Sequence, residues 1–384
     1  MLHRRFFAAC SALLAGSALV LIGTASAANR SGGVALLGGT PATTVDLAAP
    51  EDVTLDAAGN VYISEFGTSK TAGHRVNKVD PAGNLSVVAG TGVEGYGGDG
   101  GPATLAQLDA PTGLLIDTTG ALVVADHHNG CMRRIDASGV INAIVGYCGR
   151  QGYNGDGKFP PLKTKFDDPI GIVEDSAGTI FVADEQNARV RRVTSDGVVS
   201  TILGGGKIPL PDAPDGTPGT SIEMSHPSYL ALDASGNLYV SDFLWNQVVR
   251  LDPQGRITHI AGTGAAGFAG DGGPATSALL DFPTGLALDG RGRLYISDAF
   301  NNRVRMVDTR GRISTVAGSG PTGYGAGSYS GDGDSATSAT LNAPAGLTVS
   351  ADGRLLIADQ GNNVVRVLQP GGTIQLFAGR PLSG

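Results

Sequence analysis

Residues 283–318, PTGLALDGRGRLYISDAFNNRVRMVDTRGRISTVAG, contain four short segments rich in valine, isoleucine and leucine. The segments are PTGLALD (283–289), RLYISD (293–298), VRMVD (304–308) and RISTVAG (312–318). This composition favours β-strands, and the glycine-containing turns between the segments favour antiparallel hairpins. The stretch therefore predicts one antiparallel sheet of four strands.

The same order of strands and turns occurs six times along the chain. Each unit opens on a proline, and successive openings lie 61, 58, 58, 56 and 61 residues apart: Pro50, Pro111, Pro169, Pro227, Pro283 and Pro344. Repeated four-stranded sheets that cannot bury their faces alone stack around a common axis. The sequence therefore predicts an all-β, six-bladed β-propeller with four antiparallel strands per blade, a single domain over residues 28–384.

Two segments compete for the outer edge of the last blade. VALLGG (34–39) has the character of a fourth strand, yet the sixth unit already contains TIQLFAG (373–379). We expect the N-terminal strand to pair on the last blade and seal the ring, with 373–379 beside it or displaced. The sequence does not decide between these arrangements.

The repeated pattern P-x-G-[LI]-x-x-[DE], followed by G-x-L-x-[VI]-[AS]-D-x-x-N-x-x-V-R, resembles the NHL repeat. Its six copies cover nearly the whole of residues 28–384. The connector G-[YF]-x-G-D-G-G-P-A-T, present at 95–104 and 267–276, is similar to that of exported bacterial NHL proteins. The resemblance implies an NHL-type β-propeller.

The first 27 residues have the features of a secretory signal peptide. Two arginines precede an apolar run over residues 6–22, and ASA (25–27) provides a small-residue cleavage site. We expect an exported protein, periplasmic or extracellular after cleavage, without stable membrane insertion. The paired arginines leave both the Sec and the twin-arginine routes open.

The net charge of the chain restricts the classes of partner that it can bind. The formal net charge of −8 becomes about −10 when residues 1–27, with two arginines and no acid, are removed. A chain this acidic repels phosphate backbones, so we do not expect nucleic acid as a partner.

Cys131 and Cys148 are the two cysteines that remain after residues 1–27 are removed. In an oxidising compartment they favour one disulfide over two separate thiols.

Polar residues that recur in nearly every unit are interpreted as framework. Five second strands end in aspartate, an asparagine follows each, and arginines accompany the third strands. One ring needs one active centre, so turn hydrogen bonds and arginine–carboxylate pairs explain this recurrence better than catalysis does. The Asp-Gly connectors do not match a calcium-loop spacing. We expect the aromatic residues three positions before those aspartates to pack each connector onto its blade.

Binding residues are sought where the units differ. The start of the first strand and the loop after the second strand emerge on one face, and such loops on a rigid scaffold commonly bind ligands. Four of the five histidines after residue 27 fall on this predicted face. The predicted ligand-binding residues are Phe243, Trp245, Phe300, His127, Glu185 and Gln186.

A divalent metal site is a second interpretation of the same face. Imidazoles and carboxylates are suitable ligands for zinc and related ions. The candidate ligands are Glu51, His127, His128 and His226. No pair of them has a recognised ligand spacing.

Related propeller enzymes give limited support for a metal. The peptide-amidating lyase resembles this fold and places zinc-binding histidines at the starts of inner strands, where Thr112, Ser228 and Thr284 stand here. Gluconolactonase-type propellers use Glu, Asn and Asp around a cation, and of these only the Glu has a counterpart, in Glu51. Nucleophile-elbow, phosphate-loop and dinucleotide motifs are absent from the sequence.

We therefore expect an exported, non-catalytic binding or scaffold module without a required cofactor. Its loop-built face would take a peptide, a protein or a glycan. We interpret the loop of Trp245 as one residue longer than its counterparts, and we expect Trp245 to anchor that ligand. The alternative function is a metal-assisted hydrolase or lyase with its site in the central funnel.

Overall fold

The computed structural model describes residues 40–67, 73–157 and 159–381. The predicted signal peptide (1–27) and the predicted N-terminal strand (34–39) lie outside the described residues. Within these ranges, no helix combines the length and the apolar character needed to cross a membrane.

Six antiparallel sheets correspond to the six sequence units, and in each sheet the four strands of the unit follow chain order. The first strands are Pro50–Leu55, Pro111–Ile116, Pro169–Glu174, Pro227–Leu232, Pro283–Leu288 and Pro344–Val349. The second strands are Val61–Glu65, Leu122–Asp126, Ile180–Asp184, Leu238–Asp242, Leu294–Asp298 and Leu355–Asp359. The third strands are Arg75–Val79, Cys131–Ile135, Arg189–Val193, Gln247–Leu251, Arg303–Val307 and Val364–Leu368. The fourth strands are Asn84–Ala89, Ile141–Val145, Val199–Gly204, Ile257–Ala261, Ile313–Ala317 and Ile374–Ala378.

The connectors between blades contain short 3-10 turns, and two further pairs of residues form a small parallel sheet. The connector turns are Ala42–Thr44, Ala103–Leu105, Pro161–Lys163, Leu210–Asp212, Gly219–Ser221 and Ala275–Ser277. Three more 3-10 turns follow second strands, at His127–Asn129, Ala299–Asn301 and Gln360–Asn362. The parallel pair is Ile208–Pro209 with Ile222–Glu223.

The first strands line the axis and contact each other in a closed ring. The first strand of blade 6 packs against that of blade 1, as every other neighbouring pair does. Close approach at the axis explains the glycine of the P-x-G pattern. A Cβ atom on Gly285 would lie 2.0 Å from the carbonyl oxygen of Ala345 in the next blade. The six-bladed propeller predicted from the repeat is thereby confirmed.

The start of the described chain joins blade 6 to blade 1. Ile374–Ala378 is the fourth strand of blade 6, so 373–379 occupies its own place in the sheet. The turn Ala42–Thr44 contacts this strand, and the Gly379 amide donates to the Ala42 carbonyl at 2.9 Å. Thr40 and Pro41 pair with the fourth strand of blade 1. The described N-terminal residues therefore act as the connector between the last and the first blade.

The predicted disulfide is confirmed between Cys131 and Cys148. It ties the start of the third strand of blade 2 to the segment that follows the fourth strand. The hydrophobic core consists of clusters at the blade interfaces, such as the one that joins Val248 and Ala261 of blade 4 to Leu286 and Ile296 of blade 5.

Four blades contain a fully buried arginine: Arg133, Arg191, Arg305 and Arg366. Arg305 binds Asp298 of its second strand at 3.0 Å and Asp271 of the incoming connector at 2.7 Å. The same two-carboxylate clamp is present at the other three arginines. An aromatic ring, here Phe268, covers the guanidinium from the connector. The recurring charged residues are therefore structural, as predicted.

Among the described residues, blades 1 and 4 do not contain this clamp. In blade 1, Asn77 donates to the Glu65 carboxylate at 2.5 Å. In blade 4, Val249 occupies the clamp position, with Arg250 one residue further on. There the connector carboxylate of Asp215 binds His259 at 3.0 Å instead. His259, the predicted exception among the histidines, is thus part of the framework.

Candidate functional site on the upper face

The upper face is the end of the propeller where first strands begin and second strands end. In five blades the residue before the opening proline has a left-handed backbone, with φ between 46° and 57°: Ala49, Ala110, Asp168, Phe282 and Ala343. Non-glycine residues rarely adopt this conformation. Such strain persists only where surrounding contacts fix it. For Phe282, one such contact is the hydrogen bond from its amide to Asn246 Oδ1 in the preceding blade, at 2.9 Å.

A continuous series of rings, the aromatic arc, borders one side of this face. Phe282 and Phe300 stack with centroids 4.2 Å apart and planes 4° from parallel. Phe243 lies 4.2 Å from Phe282 on the other side. The series includes His226, 5.0 Å from Phe243, and Tyr324, 5.0 Å from Phe300. Two loops that follow second strands and three connectors between blades therefore present a single aromatic surface.

The opposite side of the face contains the histidine–aspartate cluster, formed by His127, His128 and Asp168. One ligand atom from each of these residues lies within 4.8 Å of the other two. His127 is fully buried and its Nδ1 lies 3.1 Å from the Pro169 carbonyl. Burial lowers the pKa of His127 to about 4, so the ring is neutral at neutral pH.

Glu185 connects the two sides. Its carboxylate lies 3.5 Å from His226 Nε2 at the end of the aromatic arc. Gln186 donates to the same carboxylate at 3.0 Å. Burial, assisted by the nearby charge of Asp168, raises the pKa of Glu185 well above its usual range. The upper face therefore pairs an aromatic side with a side rich in imidazole and carboxyl groups.

The central channel is spanned by a side chain. Tyr229 of blade 4 donates its hydroxyl to the main-chain oxygen of Glu51 in blade 1 at 2.9 Å, and to the Glu51 carboxylate at 3.1 Å. Gln360 donates to the other carboxylate oxygen. Blades 1 and 4 lie opposite each other in a six-membered ring, so this contact crosses the axis. A cavity of about 220 Å³ lies further along the first strands, lined by Asp52, Tyr229 and aliphatic side chains.

Burial dominates the electrostatics of this channel. It raises the pKa of Glu51 to about 7 and that of Asp52 to about 8. Asp52 accepts a hydrogen bond from the Leu114 amide at 2.9 Å. Asp52 and Tyr229 occupy the position that is glycine in the other four units. The channel is therefore filled where the P-x-G pattern is broken.

The structure brings together some of the predicted site residues and separates others. Phe243 and Phe300 share the aromatic arc, although Phe243 is only 2% exposed. Trp245 packs, half-buried, against the cluster that contains Leu210 and Met224.

The predicted metal ligands divide into three places. His127 and His128 lie together, with Asp168 as the neighbouring carboxylate. His226 pairs with Glu185, and Glu51 faces Tyr229 in the channel. The four candidates therefore do not form one set of ligands.

Sequence reasoning missed Asp168, Phe282 and Tyr324. The first two had a detectable signal, because the residues before the six prolines are Ala, Ala, Asp, His, Phe and Ala. A change from alanine at this framework position marks the upper face. Tyr324 lies in a long connector that no repeat position anticipates.

The closed ring of six four-stranded blades, with P-x-G at the axis and an arginine clamp in most blades, defines an NHL-type β-propeller. Residues 53–154 and 220–325 match the family model of the Teneurin NHL domain. These segments cover more than half of the 384 residues, and the chain belongs to this family.

Relatives and solved structures agree with this assignment. Human Teneurin-4 is 27% identical over 354 residues, which cover 84% of this chain and 12% of Teneurin-4. The chain thus matches only a small part of that relative. Virginiamycin B lyase from Staphylococcus aureus superposes with a TM-score of 0.51 at 18% identity, over 90% of this chain and 88% of the lyase. A gluconolactonase from Xanthomonas campestris gives 0.53 at 17% identity, over 86% and 87%. Both structures share the fold.

Proposed function

We propose that the protein is a non-catalytic binding module whose upper face holds a polypeptide segment. The observation that carries the proposal is the aromatic arc, in which neighbouring rings lie 4.2 to 5.0 Å apart. Aromatic residues dominate the energy of protein interfaces because they bury a large apolar area at little cost in conformational entropy. Export of the protein, which the sequence of residues 1–27 and the disulfide support, belongs to the same proposal.

The arrangement of the rings favours a peptide over a glycan. Phe282 and Phe300 stack face to face, so one face of each ring is already covered. A sugar would pack on an open ring face, whereas an apolar side chain can pack along the partly exposed edges of the arc. Phe282 and Phe300 are both half-buried, which leaves such edges accessible.

The charge of the opposite side indicates what else the ligand contains. Asp109 and Asp168 remain partly exposed there, at 25% and 18% of their side-chain surface. The whole chain has a formal net charge of −8. A peptide with an apolar or aromatic anchor and a nearby lysine or arginine would complement both sides of the face.

The test uses a displayed library of random peptides selected on the purified protein. A labelled selected peptide is then titrated with the wild type, with Phe300→Ala and with the control Phe159→Ala. Phe159 is an exposed phenylalanine of a connector, at 43% exposure. Removal of an interface anchor costs about 2 kcal/mol, so Phe300→Ala should weaken binding about 30-fold.

The control should bind the peptide as the wild type does. Equal affinity of wild type and Phe300→Ala would refute the assignment of the arc. Binding of oligosaccharides but of no peptide, measured on a glycan array, would replace the proposed ligand class by the other one.

A further inference from the structure

We infer that His127, His128 and Asp168 form a binding site for one divalent transition-metal ion of the zinc type. One ring nitrogen of each histidine and one carboxylate oxygen of Asp168 lie within 4.8 Å of one another. Two imidazoles and a carboxylate suit zinc and its neighbours better than calcium or magnesium, which prefer all-oxygen sites. This inference does not depend on peptide binding by the aromatic arc.

The distances require only side-chain adjustment. Ligand atoms in an occupied tetrahedral zinc site lie about 3.3 Å apart, given zinc–nitrogen bonds of about 2.0 Å. His127 Nε2 is already 3.8 Å from Asp168 Oδ1. The separations of at most 4.8 Å must therefore close by no more than about 1.5 Å to reach this spacing.

Each of the three residues is held by a partner of its own. His127 Nδ1 lies 3.1 Å from the Pro169 carbonyl, which fixes the proton on Nδ1 and leaves the lone pair on Nε2. His128 Nδ1 lies 3.2 Å from the Asp109 carboxylate, which leaves its Nε2 for the ion. Gln151 donates to the Asp168 carboxylate at 2.5 Å. Outer-shell partners of this kind orient ligands in known metal sites.

The surroundings favour a cation and allow it to enter. Asp109 adds a carboxylate beside the ligands, 3.2 Å from His128 Nδ1. The His128 side chain is 42% exposed and Asp168 is 18% exposed, while His127 is buried. Phe66 covers the two imidazoles from blade 1, with ring centroids 5.7 Å from each. The ion would therefore be bound from the solvent side, with at least one coordination position open toward the upper face.

The experiment measures zinc binding to the chelator-treated protein by calorimetry against a competing chelator. We expect one zinc ion per chain, undiminished by excess magnesium or calcium. Asp168→Asn and His128→Ala should each weaken the affinity at least about 10-fold. The matched control is His259→Gln, since His259 binds Asp215 in the framework, and this variant should bind zinc as the wild type does.

A second measurement covers the case in which a variant does not fold. Paramagnetic cobalt added to the wild type should shift the ring resonances of His127 and His128 and leave those of His259 in place. The inference is overturned if the wild type takes up no stoichiometric zinc, or if both ligand variants fold and bind zinc with wild-type affinity. Cobalt shifts confined to other histidines would overturn it as well.

Discussion

Replacement of Asp52 by asparagine should remove the contribution of one proton to the fall of stability with rising pH between about pH 5.5 and about pH 7.5. Asp52 is 7% exposed and accepts the Leu114 amide hydrogen at 2.9 Å. Burial raises its pKa from 3.8 to about 8. The folded protein therefore keeps the proton up to about pH 8, whereas the unfolded chain releases it near pH 3.8.

The sign of the effect follows from this difference. Below about pH 3.8 the Asp52 carboxyl carries its proton in both the folded and the unfolded protein. As pH rises, the unfolded chain releases this proton first, while the folded protein keeps it. Stability therefore falls with rising pH, by about 1.4 kcal/mol per pH unit for one proton. Over two pH units the loss is about 2.7 kcal/mol. With an unfolding entropy of about 2.1 cal/mol/K per residue, or ~0.7 kcal/mol/K for the described chain, the melting temperature should fall by about 4 °C.

The assay is thermal unfolding, followed by circular dichroism at both pH values. Asparagine keeps the acceptor for the Leu114 amide and has no proton to lose, so the Asp52→Asn variant should show a pH-induced fall that is smaller by about 4 °C. Asp136→Asn is the control, because Asp136 is an exposed turn residue whose pKa is already lowered by its hydrogen bonds to Ser138 and Val140. Equal pH dependence in wild type and Asp52→Asn would mean that the channel cavity hydrates the carboxylate, and the reasoning would be refuted.

Two further predictions concern the framework. Arg305→Met should lower the free energy of unfolding by about 3–5 kcal/mol in urea titrations, because it leaves Asp298 buried without its cation. The control Arg310→Met, at an exposed position, should change the free energy of unfolding by less than about 0.5 kcal/mol. Similar losses in both variants would contradict the structural role of the clamp. Gly285→Ala should cost about 1–3 kcal/mol, since the new Cβ would meet the Ala345 carbonyl at 2.0 Å. Gly290→Ala, with nothing within 4 Å of its Cβ, is the control, and a tolerated Gly285→Ala would show that the blades can separate at the axis.

The scaffold could be predicted because its determinants repeat. Pro283 and its equivalents mark the start of every first strand, and each blade takes its four strands from one continuous unit. Residues such as Asp298 and Arg305 recur for the same reason, and recurrence itself identified them as framework. The closure of the ring was harder to predict, because the sequences of 34–39 and 373–379 have the same strand-like character. The place of Ile374–Ala378 as the fourth strand of blade 6 depends on its pairing with the third strand and on contacts such as that between Gly379 and Ala42, which no local pattern contains. Residues 34–39 lie outside the described residues.

The candidate site was predicted only in part, because its residues are single exceptions to the repeat. The prediction compared residues after each opening proline, whereas Asp168 and Phe282 stand before it. Trp245 was expected to anchor the ligand from a loop one residue longer than its counterparts. That expectation of length is wrong, because four residues separate Asp242 from Gln247, as they separate Asp298 from Arg303 in blade 5. The Trp245 ring packs against the cluster that contains Leu210 and Met224. A sequence shows that a position differs from its repeats, but it does not show toward which neighbour the new side chain turns.

Single exceptions to the repeat also explain why side chains fill the central channel. Asp52 and Tyr229 replace the glycine of P-x-G in blades 1 and 4, which are opposite blades. A side chain at this position can extend only into the central channel. Tyr229 reaches Glu51 across that axis, so a ligand bound on the upper face has no route through the ring. It must enter and leave by the face that contains the aromatic arc and the histidine–aspartate cluster. In the proposed binding module, selection of ligands would rest on the few loops that break the repeat, and the repeated geometry of the blades would hold those loops at fixed distances.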